Sequence, residues 1–146
     1  MITNEVQYHT TKAHLARFEQ AIENLEAALP SPAERKLHRV QLDALRSQAD
    51  DLRTELADFE QLRSGQITTI EADSLAALAN ALIKARIVRG WSQRNLADKL
   101  GIAEQQIQRY EATDYAAASL ARLCDIADAL NLTIHETLNL RGPDAA

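Results

Sequence analysis

Ser92-Gln93-Arg94-Asn95-Leu96-Ala97-Asp98-Lys99-Leu100-Gly101-Ile102-Ala103-Glu104-Gln105-Gln106-Ile107-Gln108-Arg109-Tyr110-Glu111 reads as two short helices joined by a tight turn at Gly101. Leu96, Ala97 and Leu100 share one face of the first helix, and Ile107 and Tyr110 share the inner face of the second. Ala97 is small where the helices should cross. Gly101 follows the last periodic residue, where a left-handed backbone is cheapest without a Cβ. The outer face of the second helix is left to Glu104, Gln105, Gln106, Gln108 and Arg109. Gln and Arg are the side chains whose donor and acceptor geometry suits adenine and guanine edges in a major groove.

The rest of the chain is consistent with an all-α fold. Across 146 residues there are 4 Gly and 3 Pro, and only 4% are aromatic, which is too little sheet-forming material to compete with the helix formers. Cys124 is the single cysteine, so no intramolecular disulfide framework is available, and a reducing cytoplasm is expected. The opening MITNEVQYHTTK has no apolar signal core, and no stretch approaches the ~20 apolar residues of a membrane span. A cytoplasmic protein without membrane contact is therefore the expectation. The total charge of -5 is unfavourable for a nucleic-acid binder, but its distribution is not. Between residues 84 and 109, Lys84, Arg86, Arg89, Arg94, Lys99 and Arg109 face only Asp98 and Glu104, a local net of +4.

Outward from this segment, two domains are expected. Residues 1–66 form the first. Leu15, Phe18, Ile22, Leu25 and Leu29 recur at 3-4-3-4 spacing from about Thr10, an apolar helical seam. Pro30-Ser31-Pro32 breaks that helix, and Ser31 with Glu34 three residues on suits a capping box. A second helix to about Arg63 carries Leu42, Leu45, Ala49, Leu52, Leu56, Phe59 and Leu62 or Arg63 on its seam. Two such helices around a two-proline corner predict an antiparallel, coiled-coil-like hairpin. A hairpin has little interior, so dimerisation or docking of a partner is expected to cover it. After the connector Ile67–Ile70, residues 70–140 predict five helices. These are Leu75–Arg89 with Leu75, Leu78, Ala79, Leu82, Ile83 and Ile87 inward, then Ser92–Leu100 and Glu104–Glu111. Ser119–Leu130 follows with Leu120, Leu123, Cys124, Ala127 and Leu130 inward, and a shorter Thr133–Leu140 closes the bundle. Asn131 is a left-handed C-terminal candidate, and 141–146 is expected to fray.

From Leu75 to Leu138 the chain resembles the Xre family, the Cro and phage-repressor type of helix-turn-helix. The resemblance rests on Arg86, Ser92-Gln93, Leu96-Ala97, Gly101-Ile102, Ile107, Tyr110-Glu111 and Leu120 through Leu130 in that order. It implies a lambda-repressor-like bundle that binds double-stranded DNA. Glu104, Gln105, Gln106, Gln108 and Arg109 would then face the bases, Gln105 and Gln106 in the first turn. Gln93 and Arg94, with Arg89 and Lys99, would meet phosphates. Arg86 and Glu111 match a family ion pair whose role is structural. Glu104 departs from many relatives; it either accepts from a cytosine amino group or caps its own helix, with the cap favoured.

The remaining residues do not point to catalysis. His9, His14, His38 and His135 are dispersed without zinc-ligand spacing, and no phosphate-binding glycine loop or nucleophile triad is present, so no enzyme and no cofactor are expected. Cys124 on an apolar stripe reads as an inert small hydrophobe. Trp91 and Tyr110 read as packing residues, and Tyr115 is open between packing and contact. The expected function is a homodimeric, sequence-specific transcriptional regulator, a repressor in the first instance, nucleoid-associated when bound to DNA. The alternative is an antitoxin that binds a toxin protein and autoregulates its operon, since many small proteins of this family do so.

Overall fold

A computed structural model describes residues 1–140. It is built from six helices: α1 (Glu5–Ala27), α2 (Arg35–Arg63), α3 (Leu75–Val88), α4 (Gln93–Leu100), α5 (Glu104–Ala112) and α6 (Leu120–Ala129), with no strand among the described residues. The expectation of a frayed tail at 141–146 lies outside the described residues.

Helices α1 and α2 run antiparallel, as the ladder of ion pairs between them requires. Arg46 reaches Glu26, Arg53 reaches Glu19 and Arg63 reaches Glu5, so rising numbers on α2 meet falling numbers on α1. These pairs are half-exposed and set register more than stability. Helix α1 begins at Glu5, about a turn and a half before the expected start near Thr10, because the Asn4 side chain accepts the Gln7 backbone N–H. At the corner, Glu34 accepts both the backbone N–H and the hydroxyl of Ser31. Only that half of the expected capping box forms, and residues 32–34 are a turn ahead of α2. Leu29 stands in the corner, 97% exposed, and does not belong to the seam.

One apolar core joins the base of this hairpin to the other four helices. Tyr8, Leu56, Phe59 and Leu62 pack with Leu82, Ile83, Leu96, Ile107, Ile126 and Leu130, and the connector contributes half-buried Ile67 and Ile70. Ser74, Ser92 and Ser119 each cap the helix that follows, and Ser92 with Asn95 forms a reciprocal capping box. Gly101 ends α4 at φ +68°, and the shared Asp98 and Ala97 carbonyls accept its N–H. Asn131 takes φ +52° after α6, closed by the Leu132 N–H on the Ala127 carbonyl.

The structure corrects three expectations here. No fifth helix forms after α6: residues 133–140 lack helical hydrogen bonding, with Leu138 90% and Leu140 98% exposed. An eight-residue helix cannot sustain itself without burying a face, and this segment buries none. Leu75 and Leu120 are exposed rather than inward, because each opens its helix about two turns outward from the core positions Leu82 and Ala127. Cys124 is exposed, and Ile126 at 0% takes the core position instead. The buried stripe of α6 is Leu123, Ile126, Ala127 and Leu130, rotated from the one that the 3-4 spacing through Cys124 suggests.

Candidate nucleic-acid interface

The orientation of α5 is set by a charge buried at the centre of the domain. Arg86 on α3 is 1% exposed and Glu111, near the end of α5, 5%. The guanidinium donates Nε to Glu111 Oε1 at 2.6 Å and Nη2 to Glu111 Oε2 at 2.7 Å, a bidentate pair. Nη1 donates to the Trp91 carbonyl and Nη2 also to the Thr3 carbonyl, both at 2.7 Å. Gln93 completes the set by donating Nε2 to Glu111 Oε2 at 2.7 Å. A buried ion pair is tolerated when its remaining hydrogen-bonding capacity is met, and here four donors of the guanidinium and three acceptor contacts of the carboxylate are used.

Gln93 is therefore corrected as a phosphate contact. It is 8% exposed, and its amide is spent on Glu111 and on a long contact from Asn4 at 3.5 Å. Its side chain supports the Glu111 carboxylate from inside. Arg94, one residue on, is exposed in the first turn of α4; Lys99 in its last turn and Arg89 at the end of α3 are exposed too. Arg89 spends Nη2 on the Asn131 carbonyl at 3.1 Å, tying the ends of α3 and α6 together. With Arg86 neutralised inside, the surface cations Lys84, Arg89, Arg94, Lys99 and Arg109 face Asp98 and Glu104, which lowers the local excess to +3.

On α5, Ile107 and Glu111 point inward. Gln105, Gln108 and Arg109 form its exposed face, and Glu104 and Gln106 flank it half-buried. Glu104 does not cap α5: Ala103 holds that position without a side-chain bond, and Glu104 Oε1 accepts from Gln108 Nε2 at 3.4 Å. A carboxylate in a first helical turn still lies favourably against the helix dipole. Trp91 is half-buried, and Tyr115 is settled as a packing residue, 3% exposed and stacked on Tyr110 at 5.7 Å between ring centroids. Burial raises the Tyr115 phenol far above its usual range, with Glu111 adding to the effect. Sequence reasoning missed Thr3 and Asn4, since a backbone carbonyl carries no residue signature; only the Asn-x-x-Gln cap spacing marked this place.

Residues 82–136 match the family model described as helix-turn-helix, of the Cro/C1, Xre-like type. The matched span, a little over a third of the chain, holds α4, α5, α6 and both residues of the Arg86–Glu111 pair, and there the chain is similar to DNA-binding helix-turn-helix regulators. The chain matches no curated protein and no solved structure. No helix among the described residues is long and apolar enough to cross a membrane.

Proposed function

We propose that this chain, a helix-turn-helix protein across residues 82–136, is a cytoplasmic, sequence-specific transcriptional repressor that binds its operator as a homodimer. The observation that carries the reading is the outward amide and guanidinium face of α5, Gln105, Gln108 and Arg109, on a helix anchored by a buried bidentate ion pair. Glu104 and Gln106 extend that face toward the bases. Arg94, Lys99 and Arg89 lie where phosphates flanking the groove would run. Residues 1–66 serve as the dimerisation unit. Support for this is the outer half of the hairpin, where Phe18, Ile22, Leu25, Leu42, Leu45 and Leu52 are only partly buried, with no third element packed on them among the described residues. A second hairpin would convert that open seam into a four-helix interior.

Selection of bound fragments from a random DNA pool tests the reading. The expected product is a pair of inverted half-sites about 34 Å apart, or a multiple of that spacing. An unenriched pool at low salt refutes it. The mass of the species in solution tests the dimer: twice the 16.2 kDa chain supports it, and a stable complex with a second polypeptide moves the assignment to an antitoxin.

A further inference from the structure

We propose that Ile2, Thr3 and Asn4, the segment ahead of the hairpin, are positioning residues for α5; the proposal rests on the DNA-reading role given above. Three observations carry it. Ile2 is 3% exposed and sits in the cleft between α2 and α3, beside Phe59, Leu62, Ile67 and Ile70. The next residue places its carbonyl on Arg86 Nη2 at 2.7 Å, the same nitrogen that donates to Glu111 Oε2. Asn4 then divides its amide, capping α1 through Oδ1 on the Gln7 N–H and directing Nδ2 at Gln93 Oε1, while Gln93 donates to Glu111.

Thr3 is held from its other side as well. Its N–H and hydroxyl both donate to Gln7 Oε1, at 2.8 and 3.0 Å, which holds the residue whose carbonyl accepts from Arg86. The segment thus clamps both partners of the Glu111 carboxylate, Arg86 directly and Gln93 through Asn4. Without the Thr3 carbonyl, a guanidinium N–H in a site closed to solvent would lose its acceptor, and the group would have to turn or admit water. Glu111 would follow, and with it α5. Gln105 lies six residues from Glu111, a lever of about 9 Å along the helix axis. Base-edge hydrogen bonds hold only within a few tenths of an ångström. A small tilt at Glu111 is therefore felt as lost discrimination at Gln105 while the charge-driven part of binding, set by Arg94 and Lys99, survives.

The test uses the full chain with Ile2→Ala, which unseats the segment, Ile2→Val as the conservative rescue, and Asn4→Ser, which keeps a capping oxygen and removes the amide donor. Two readouts are taken. The first needs no DNA: hydrogen exchange at the Arg86 guanidinium, followed by nitrogen-15 NMR. Nη2 exchange should quicken at least tenfold in Ile2→Ala with Nε held by Glu111, and return to the wild-type rate in Ile2→Val. The second is the ratio of affinities for the selected operator and for random DNA. That ratio should fall about tenfold in Ile2→Ala and about threefold in Asn4→Ser, with random-DNA affinity within twofold of wild type. Unchanged exchange in Ile2→Ala overturns the proposal whatever the DNA results, including a pool that selects no operator. Faster exchange with both affinities falling in parallel also overturns it, because a segment that only stabilises the fold lowers the active fraction for every DNA alike.

Discussion

Replacing Glu111 by Gln removes one charge from the pair that orients α5 while keeping the side-chain shape. Arg86 would remain at 1% exposure with no counter-charge, and the new amide would present a donor where Arg86 and Gln93 already donate. Breaking a buried pair in this way costs about 3–5 kcal/mol. A chain of this size has roughly 5–15 kcal/mol of total stability, so the variant sits near the edge of folding. At roughly 2–4 °C per kcal/mol the midpoint should fall by about 6–20 °C. Urea and thermal unfolding report it by helical circular dichroism, with fluorescence of Trp91, the only tryptophan, as a local probe. The apolar double replacement Arg86→Met with Glu111→Leu should recover part of the loss, since no buried charge is left over. Recovery stays partial because the Thr3 and Trp91 carbonyls lose their donor. A loss below about 1 kcal/mol for Glu111→Gln, the level of an exposed pair such as Arg53–Glu19, would refute the anchoring argument.

Other substitutions separate the remaining roles. Gln105→Ala should change discrimination at one base pair by about 1–3 kcal/mol, read by competition between operator variants, with little effect elsewhere in the site. Arg94→Ala should weaken binding to all sequences and reduce the slope of log affinity against log salt by about 1, measured by titration at several salt concentrations. Ile22→Glu, on the open hairpin seam, should yield monomers by sedimentation while the α3–α6 helical signal persists. Tyr115→Phe should leave stability unchanged or raise it by about 1 kcal/mol, because the buried hydroxyl has no hydrogen-bond partner among the described residues. The same variant should alter the alkaline limb. The folded phenol holds its proton more tightly than the unfolded one, so this contribution is whole below the ordinary tyrosine range and declines as pH climbs above it. Wild type should lose more stability than Tyr115→Phe between about pH 9.5 and 11.5, as thermal midpoints would show.

Local chemistry in the sequence was enough to fix where α3, α4 and α6 start and where α4 and α6 stop. Ser74, Ser92 and Ser119 satisfy the first free N–H groups of α3, α4 and α6, and Gly101 and Asn131 take the left-handed turns that end α4 and α6. Such interactions span three to five residues, so their partners are already adjacent in the chain. Periodicity along α5 likewise placed Ile107 inside and Gln105, Gln108 and Arg109 outside. Where contacts bridge distant segments, the spacing left several answers open and packing chose among them. On α6 both Cys124 and Ile126 fit an apolar stripe, and the neighbouring helices admit Ile126. Residues 133–140 carry helical periodicity but find no surface to bury against, so the pattern alone does not make a helix there. Gln93 has the polarity of a surface contact, yet the Glu111 carboxylate draws it inward. The link from Thr3 to Arg86 runs across 83 positions through a backbone carbonyl, a group every residue owns. Side-chain identity cannot encode such a bond; only the folded path of the chain brings its two ends together.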